Sequence, residues 1–182
     1  MGMDLVDLIA EKRFLGQEFL TWLWWKSEER GGVVALPGEG DIVVVFEKHM
    51  LLEYGEGDSN ESLICRGLQT ELQEARTGLV MGKKLEQARI QLGFNDYEWS
   101  FTMAAALMEF RNVKLPKTGA ESGNDNDPEE REGMVLERIY LFEELVRVVL
   151  GLFRVFLQIR VSADWRDELQ KMRAWVLRAE KG

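Results

Sequence analysis

The chain opens with apolar residues at helical spacing. In FLGQEFLTWLWWKSEE (14–29) they recur every three or four residues, and five of them are aromatic. This spacing predicts a helix with an apolar surface so wide that it must be buried on more than one side. We expect the helix to span 3–28, with a break near Gly16, and to seed the core of the protein.

The pattern then becomes strand-like. Three segments rich in β-branched and aromatic residues follow, DIVVVFE (41–47), HMLLEY (49–54) and SLICRG (62–67). Their composition predicts three strands, whereas GGVVALPGEG (31–40) has the composition of a loop. A capping box at 70–73 predicts the start of a short helix, and Gly82 is well placed to end it.

From Lys84 the apolar residues alternate with polar ones, which is typical of a strand with one wet face. The turn GFND (93–96) separates this strand from a second one that carries Trp99, and a third is predicted in MEFRNVKL (108–115). Three adjacent strands of this kind form an antiparallel meander.

The C-terminal part is helical by the same criteria. Asp127 can cap a helix and Pro128 suits its first position, and the apolar pattern continues to about Arg160. Because the polar residues of this helix form only a narrow stripe, we expect it to be buried on several sides. Ser162 is expected to cap a last amphipathic helix, whose shared apolar face is formed by Trp165, Leu169, Met172, Val176 and Leu177.

Together these elements predict an α+β fold. An antiparallel sheet, made of two meander-like groups of strands, is expected to pack with the N-terminal Trp-rich helix and two C-terminal helices. The length of 182 residues suits a single domain over 1–182. The polar run KTGAESGNDNDPEEREG predicts an acidic flexible surface loop at about 117–130, followed by the helical pair at 131–180.

Charge narrows the choice of partners. The net charge is −9, which argues against a free basic nucleic-acid binder. Acidic residues are concentrated in 1–67 and 121–144, however, whereas 145–182 is net basic. A basic face therefore remains compatible with the acidic total.

Location follows from cysteine content and apolar pattern. The single cysteine, Cys65, excludes a disulfide within the chain and fits a reducing cytoplasm. The N-terminus carries acids where an export signal requires a basic start. Ile139 to Val161 contains five charged residues, which are costly at membrane depth. We expect a cytoplasmic protein without membrane contact, located on the nucleoid if it binds DNA.

No catalytic or metal-binding motif emerges. The chain has one histidine, His49, and pairing it with Cys65 leaves no third group to orient a nucleophilic site. Zinc needs more Cys or His ligands. GLVMGKK lacks the spacing of a phosphate-binding P-loop, and Asp125 to Glu130 lacks the glycine of a calcium loop. We therefore expect a protein that is not an enzyme, with no catalytic residue, metal or cofactor.

The remaining signal is a set of basic residues around the meander and on the last two helices. Side chains of this kind bind phosphates without reading sequence. The candidate DNA-binding residues are Lys83, Lys84, Arg89, Lys114, Lys117, Arg147 and Arg154. An alternative is that they form a solvated face, or that Arg147 and Arg154 pair with Glu143, Glu144 or the acidic loop.

The central part of the chain resembles a known family. LICRGLQTELQEARTGLVMGKKLEQARIQLGFNDYEWSFTMAAALMEFRNVKLPK (63–117) is similar to the C-terminal half of the bacterial recombination-associated protein RdgC, as is the order of elements over 14–160. FLGQEFLTWLWWKS (14–27) resembles a segment of shorter RdgC-like proteins. The matched positions are Gly82 and Lys83. The resemblance implies a non-enzymatic protein that binds duplex DNA without sequence specificity, forms ring-like dimers and restrains RecA.

Two functions follow as hypotheses. The first is an RdgC-like protein that binds double-stranded DNA or modulates recombination through its basic residues. The second is an interaction subunit that docks a protein partner or another copy of itself through apolar helices, without binding DNA. The interface residues expected for the second are Trp24, Trp25, Phe153 and Phe156.

Overall fold

The computed structural model describes residues 14–29, 31–54, 61–66, 70–117 and 128–178. In chain order, the elements in these ranges are α1 (Phe14–Glu29), β1 (Val33–Leu36), β2 (Gly40–Tyr54), β3 (Glu61–Arg66), α2 (Thr70–Val80), β4 (Lys84–Phe94), β5 (Tyr97–Ala104), β6 (Glu109–Lys114), α3 (Pro128–Arg160) and α4 (Trp165–Leu177). Helices packed on one antiparallel sheet confirm the predicted α+β class.

The strands form a six-stranded sheet in the order β1-β2-β4-β5-β6, with β3 also paired to β2. β2 is long enough to hold two neighbours on one edge. β1 lies beside its first part, from Val33 opposite Val43, and β3 lies beside its second part, from Tyr54 opposite Glu61. β4 pairs along the other edge of β2. The two predicted groups of strands are therefore joined in a single sheet.

Two strand predictions are corrected. VVAL (33–36), expected to lie in a loop, forms β1, and the burial of Val34 and Leu36 ties it to the core. The break expected between two strands at Lys48 is only a shift in the pairing of β2 with β4, located between Phe46 and Met50. No turn is needed there because hydrogen bonding to β4 resumes after the irregularity.

The meander β4-β5-β6 agrees with the sequence prediction. β4 and β5 are joined at Asn95 and Asp96, which have φ values of 47° and 65°. Asn and Asp tolerate this left-handed conformation, which a two-residue hairpin turn of the matching twist requires at both positions. The turn chemistry of GFND therefore holds the two strands in register.

The helices cover one face of the sheet. Ile42 and Val44 of β2 and Ile90 and Leu92 of β4 are buried in the same core cluster as α1 and α3. Residues between them on the strands point the other way, and Val43 remains exposed on that face. We call this uncovered side the open face of the sheet.

α1 lies at the centre of the core, as predicted. Phe19 packs edge-to-face on Phe153 with ring centroids 5.2 Å apart, and Trp24 packs in the same way on Trp175 at 4.9 Å. The helix continues through Gly16 instead of breaking there. A side chain at Gly16 would collide with the backbone of Ala105, so this glycine permits close approach of α1 to the turn after β5.

α3 differs from the expectation of burial on several sides. From Pro128 to Tyr140 none of its residues is buried, and burial begins at Leu141. The change occurs where the indole N–H of Trp99 donates a 3.0 Å hydrogen bond to the Leu141 carbonyl. The first part of the helix lies beyond the region that α1 and the sheet cover.

α4 begins later than expected. Its N-cap is Asp164, and Ser162 instead donates to the Ile159 carbonyl at 2.9 Å, within the turn after α3. Some predictions fall outside the described residues, namely the start of the first helix (3–13), most of the acidic loop (118–127) and the Asp127 cap. The described portion gives no side-chain positions for the Thr70 capping box or the Cys65 thiol.

Candidate functional site

A groove of about 440 Å³ lies between α1, the end of α2 and α4. Its floor is apolar, and α4 contributes much of it. The five residues of the predicted apolar face of α4, Trp165, Leu169, Met172, Val176 and Leu177, all line the groove. From the other side it is lined by Phe14 of α1 and by Leu79 and Val80 of α2.

Carboxylates hold α4 against α1. Glu28 accepts a 2.8 Å hydrogen bond from the Trp24 indole and a 2.9 Å bond from the Trp175 indole. Arg76 of α2 also donates to Glu28, and its guanidinium lies 4.8 Å from the Trp175 ring centre. Glu28 therefore links α1, α2 and α4.

Glu168 makes a second link between α4 and α1. It accepts from the Trp22 indole at 3.3 Å and forms an ion pair with Lys26 at 3.0 Å. These contacts and those of Glu28 leave the apolar face of α4 directed partly at the core and partly at the groove. The groove therefore lies among the helices that cover the sheet.

Three basic side chains line the edge of the groove. Lys83 comes from the turn after α2, Lys84 is the first residue of β4, and Arg173 comes from α4. We call these three residues the basic rim. Glu18 is the acidic residue that shares the lining with them, and it forms a 2.7 Å ion pair with Arg160. The charge of Glu18 is therefore already opposed by an arginine outside the rim.

The local sequence explains how the two lysines are placed. α2 ends at Gly82, whose φ of 91° suits glycine. The Lys83 N–H donates to the Gly78 carbonyl at 2.9 Å, and the Gly82 N–H donates to the Leu79 carbonyl at 3.0 Å. This pair of bonds is the Schellman ending of a helix. It turns the chain at once from α2 into β4 and brings Lys83 and Lys84 to the groove.

A second cluster of the predicted basic residues lies on the open face. Arg89, Lys114 and Lys117 line a shallow cavity of about 610 Å³ at the end of β6. Arg89 donates to Glu47 at 2.8 Å and to Ser100 at 2.9 Å, so its charge is used within the sheet. Nearby, Arg111 donates to Glu109 and thereby lowers the pKa of this exposed carboxyl.

The last two predicted basic residues lie on α3. Arg147 forms ion pairs with Glu144, at 2.8 Å, and with Glu39, whereas Arg154 is exposed. The predicted pairing of Arg147 with Glu144 is therefore present. The seven candidate residues thus fall into three places. Lys83 and Lys84 share the groove with Arg173, which belongs to the basic set of the last two helices but is not one of the seven candidates.

The four expected interface residues are core residues. Trp24, Trp25, Phe153 and Phe156 are all buried inside the folded chain, where their rings contact α1, α4 and β2. This placement corrects the expectation that they form a docking surface. The apolar side chains that α3 does expose lie nearer its start, and they include Val135, Ile139 and Phe142.

Other chemistry is sparse in the described part of the chain. It contains no group of three or more His, Cys, Asp or Glu side chains arranged to hold a metal ion. None of its helices combines the length and the apolarity needed to cross a membrane. Comparison of the chain with family models, curated proteins and solved structures finds no match.

Proposed function

We propose that this protein binds the phosphate backbone of duplex DNA through the basic rim, as a non-enzymatic RdgC-like protein. The observation that carries the proposal is that Lys83, Lys84 and Arg173, from separate parts of the fold, line the same groove. The resemblance supports it independently, because Gly82 and Lys83 are the positions that match the family pattern.

The exposed side of α4 extends this basic surface. Arg166 and Arg173 are both exposed and seven residues apart, which places them on the same side of the helix about 10 Å from each other. Arg178 follows at the end of α4 and is also exposed. A row of cations of this kind follows a phosphate backbone without contacts to the bases.

Net charge sets the strength of binding. With −9 overall, the protein repels DNA at long range, and attraction comes from the local cluster within about a Debye length of 10 Å at 0.1 M salt. Binding is therefore expected at low ionic strength and is expected to weaken steeply as salt is added. Three phosphate contacts correspond to a slope of log affinity against log salt of about −3.

The test is fluorescence anisotropy of a labelled duplex at a series of salt concentrations. The variant Lys83→Gln/Lys84→Gln/Arg173→Gln is expected to lose most of its affinity and to flatten the salt slope by about 3. The matched control, Lys114→Gln/Lys117→Gln/Arg154→Gln, removes the same charge from exposed residues elsewhere. It is expected to bind almost as the parent does.

Equal losses in the two triple variants would show that only total charge matters, and the basic rim would then not be the site. Absence of binding by the parent at the lowest salt would reject DNA as the ligand. Circular dichroism of each variant checks that the fold is unchanged, which matters most for the half-buried Lys83.

A further inference from the structure

The groove bordered by the basic rim has the dimensions of a small-molecule site. Its volume of about 440 Å³ falls within the range of about 300–1,000 Å³ that is typical of such sites. Its lining follows α4 from Trp165 to Leu177, which corresponds to a rise of about 18 Å along the helix. The groove therefore suits an extended ligand better than a compact one.

Each of the three helices that form the groove leaves a large apolar side chain accessible there. Phe14 of α1 is 46% exposed, Val80 of α2 is 36% exposed and Leu177 of α4 is 52% exposed. Leu169 and Val176 in the floor are half-buried. A ligand that covers these side chains removes apolar surface from water, which is the main source of affinity in a site of this kind.

The polar side chains that α1 contributes are already engaged within the protein. Gln17 donates a hydrogen bond to Glu86, and the Thr21 hydroxyl donates to the Gln17 carbonyl at 2.9 Å. Glu18 is opposed by Arg160. Recognition of a charged group in a ligand therefore falls to the basic rim.

We propose that the groove binds a free single-chain anionic amphiphile, which is an alkyl chain with a carboxylate or phosphate head. The alkyl chain lies on the apolar floor along α4, and the head binds Lys84 and Arg173, which are both exposed at the edge. Lysine and arginine bind such heads through charge-assisted hydrogen bonds. The apolar floor and the cationic edge thus complement the two parts of one molecule.

This proposal goes beyond the proposed function and does not rest on it, although both use the basic rim. The floor distinguishes them, because it contacts the alkyl chain, whereas a phosphate backbone binds cations alone. Decanoate binding without DNA binding at low salt would reject only the proposed function. DNA binding without decanoate binding would overturn only the present inference.

The first test is isothermal titration calorimetry of the full chain with decanoate, below the concentration at which it forms micelles. Octanoate has two methylenes fewer and is expected to bind about tenfold more weakly, because each buried methylene changes affinity about fourfold. Decanol lacks the charge and is expected to bind at least about tenfold more weakly than decanoate. Equal affinities of decanol and decanoate, or affinity that does not depend on chain length, would overturn the proposal.

The second test removes the cations that hold the head. Lys84→Gln/Arg173→Gln is expected to weaken decanoate binding at least about tenfold. The matched control Lys114→Gln/Arg154→Gln removes the same charge from exposed residues elsewhere and is expected to bind decanoate as the parent does. Equal losses in the two variants would contradict binding of the head at the rim.

The third test changes the apolar surface without changing charge. Val80→Asn/Leu177→Asn is expected to weaken decanoate binding at least about tenfold and to leave the affinity for a labelled duplex unchanged. Its matched control is Val43→Asn/Ile64→Asn on the open face, where the parent residues are 46% and 52% exposed. Unchanged decanoate binding by Val80→Asn/Leu177→Asn would overturn the proposal. Circular dichroism checks that each variant keeps its fold.

The last test distinguishes a free amphiphile from other occupants of the groove. The chain is sedimented with vesicles of phosphatidylglycerol and phosphatidylcholine, and it is expected to remain in the supernatant. Sedimentation with the vesicles, together with no binding of decanoate, would identify a membrane surface as the ligand and overturn the proposal. Absence of binding to both would leave a protein segment as the occupant and would overturn it as well.

Discussion

One side of α3 lies in two environments. Val149, Phe153 and Phe156 form its buried inner seam, and Val135, Ile139 and Phe142 form its exposed outer seam. Both have large apolar side chains at the same spacing, yet the inner seam is buried and the outer seam is about half exposed. The difference comes from elements distant in sequence. Phe19 of α1 packs on the inner seam, whereas Val135 and Ile139 precede Leu141, the residue at which burial of α3 begins. An apolar stripe identifies the side of a helix that needs cover, whereas the tertiary structure determines which part receives it.

The largest effect on stability is expected from a substitution in the inner seam. Phe153→Ala is expected to lower the free energy of unfolding by about 3–5 kcal/mol, because it leaves a cavity beside Phe19. Val135→Ala in the outer seam is the control and is expected to change it by less than about 0.5 kcal/mol. Both are measured by urea unfolding. Equal costs would contradict the contrast between the seams.

The next effect is an overpacked contact in the covered part of α3. A side chain at Gly151 meets the Leu36 side chain, with a Cβ only 3.0 Å from its nearest methyl carbon. Gly151→Val is expected to destabilise the fold by about 1–3 kcal/mol, as measured by thermal unfolding. Leu36→Ala in the same chain makes room and is expected to reduce the cost of the valine. An additive double variant would show that the two side chains do not collide.

A smaller effect is expected at the boundary between the covered and uncovered parts. Trp99→Phe removes the indole N–H that binds the Leu141 carbonyl at 3.0 Å. Loss of this bond and of ring volume is expected to cost about 1–2 kcal/mol in chemical unfolding. Amide exchange near Leu141 is expected to become faster. Tyr97→Phe keeps a ring next to Trp99 without touching this bond, and it should leave exchange at Leu141 unchanged.

The smallest effect is stabilising and belongs to the uncovered part. A Cβ at Gly133 has no neighbour within 4 Å. Gly133→Ala is expected to stabilise α3 by up to about 1 kcal/mol through helix propensity alone. The readout is slower amide exchange at 130–137 with little change in global unfolding. A clear loss of stability would mean that residue 133 is packed against something.

Most elements of the fold can be predicted from local sequence signals. Asn95 and Asp96 predict the hairpin turn, and Pro128 predicts the start of α3, because each residue type favours the backbone conformation that it adopts there. The strand β1 escaped prediction because VVAL is short and flanked by Gly and Pro, and only its pairing with β2 makes it a strand. In the sequence, the irregularity near Lys48 likewise resembles the end of a strand, because only the pairing with β4 shows that β2 continues.

The basic residues were harder to predict because they belong to different elements. Periodicity along one element cannot show that the end of α2 meets α4, so Arg173 is not one of the seven candidates although Lys83 and Lys84 are. It also cannot show that Glu47 already engages Arg89 across the sheet. For the same reason, periodicity cannot show that Trp24 and Phe153 are covered by other parts of the chain and do not form an interface.

The contact between α1 and the last helix has a consequence for the protein during its synthesis. The Trp175 indole binds Glu28 across 147 residues of chain, and α1 is made first. At about 5–20 residues per second, α1 waits roughly 7–30 s for α4 to leave the ribosome. Throughout that time Trp24 lacks the ring of Trp175 and the Trp22 indole lacks Glu168. We expect α1 to be the segment of the nascent chain that chaperones bind.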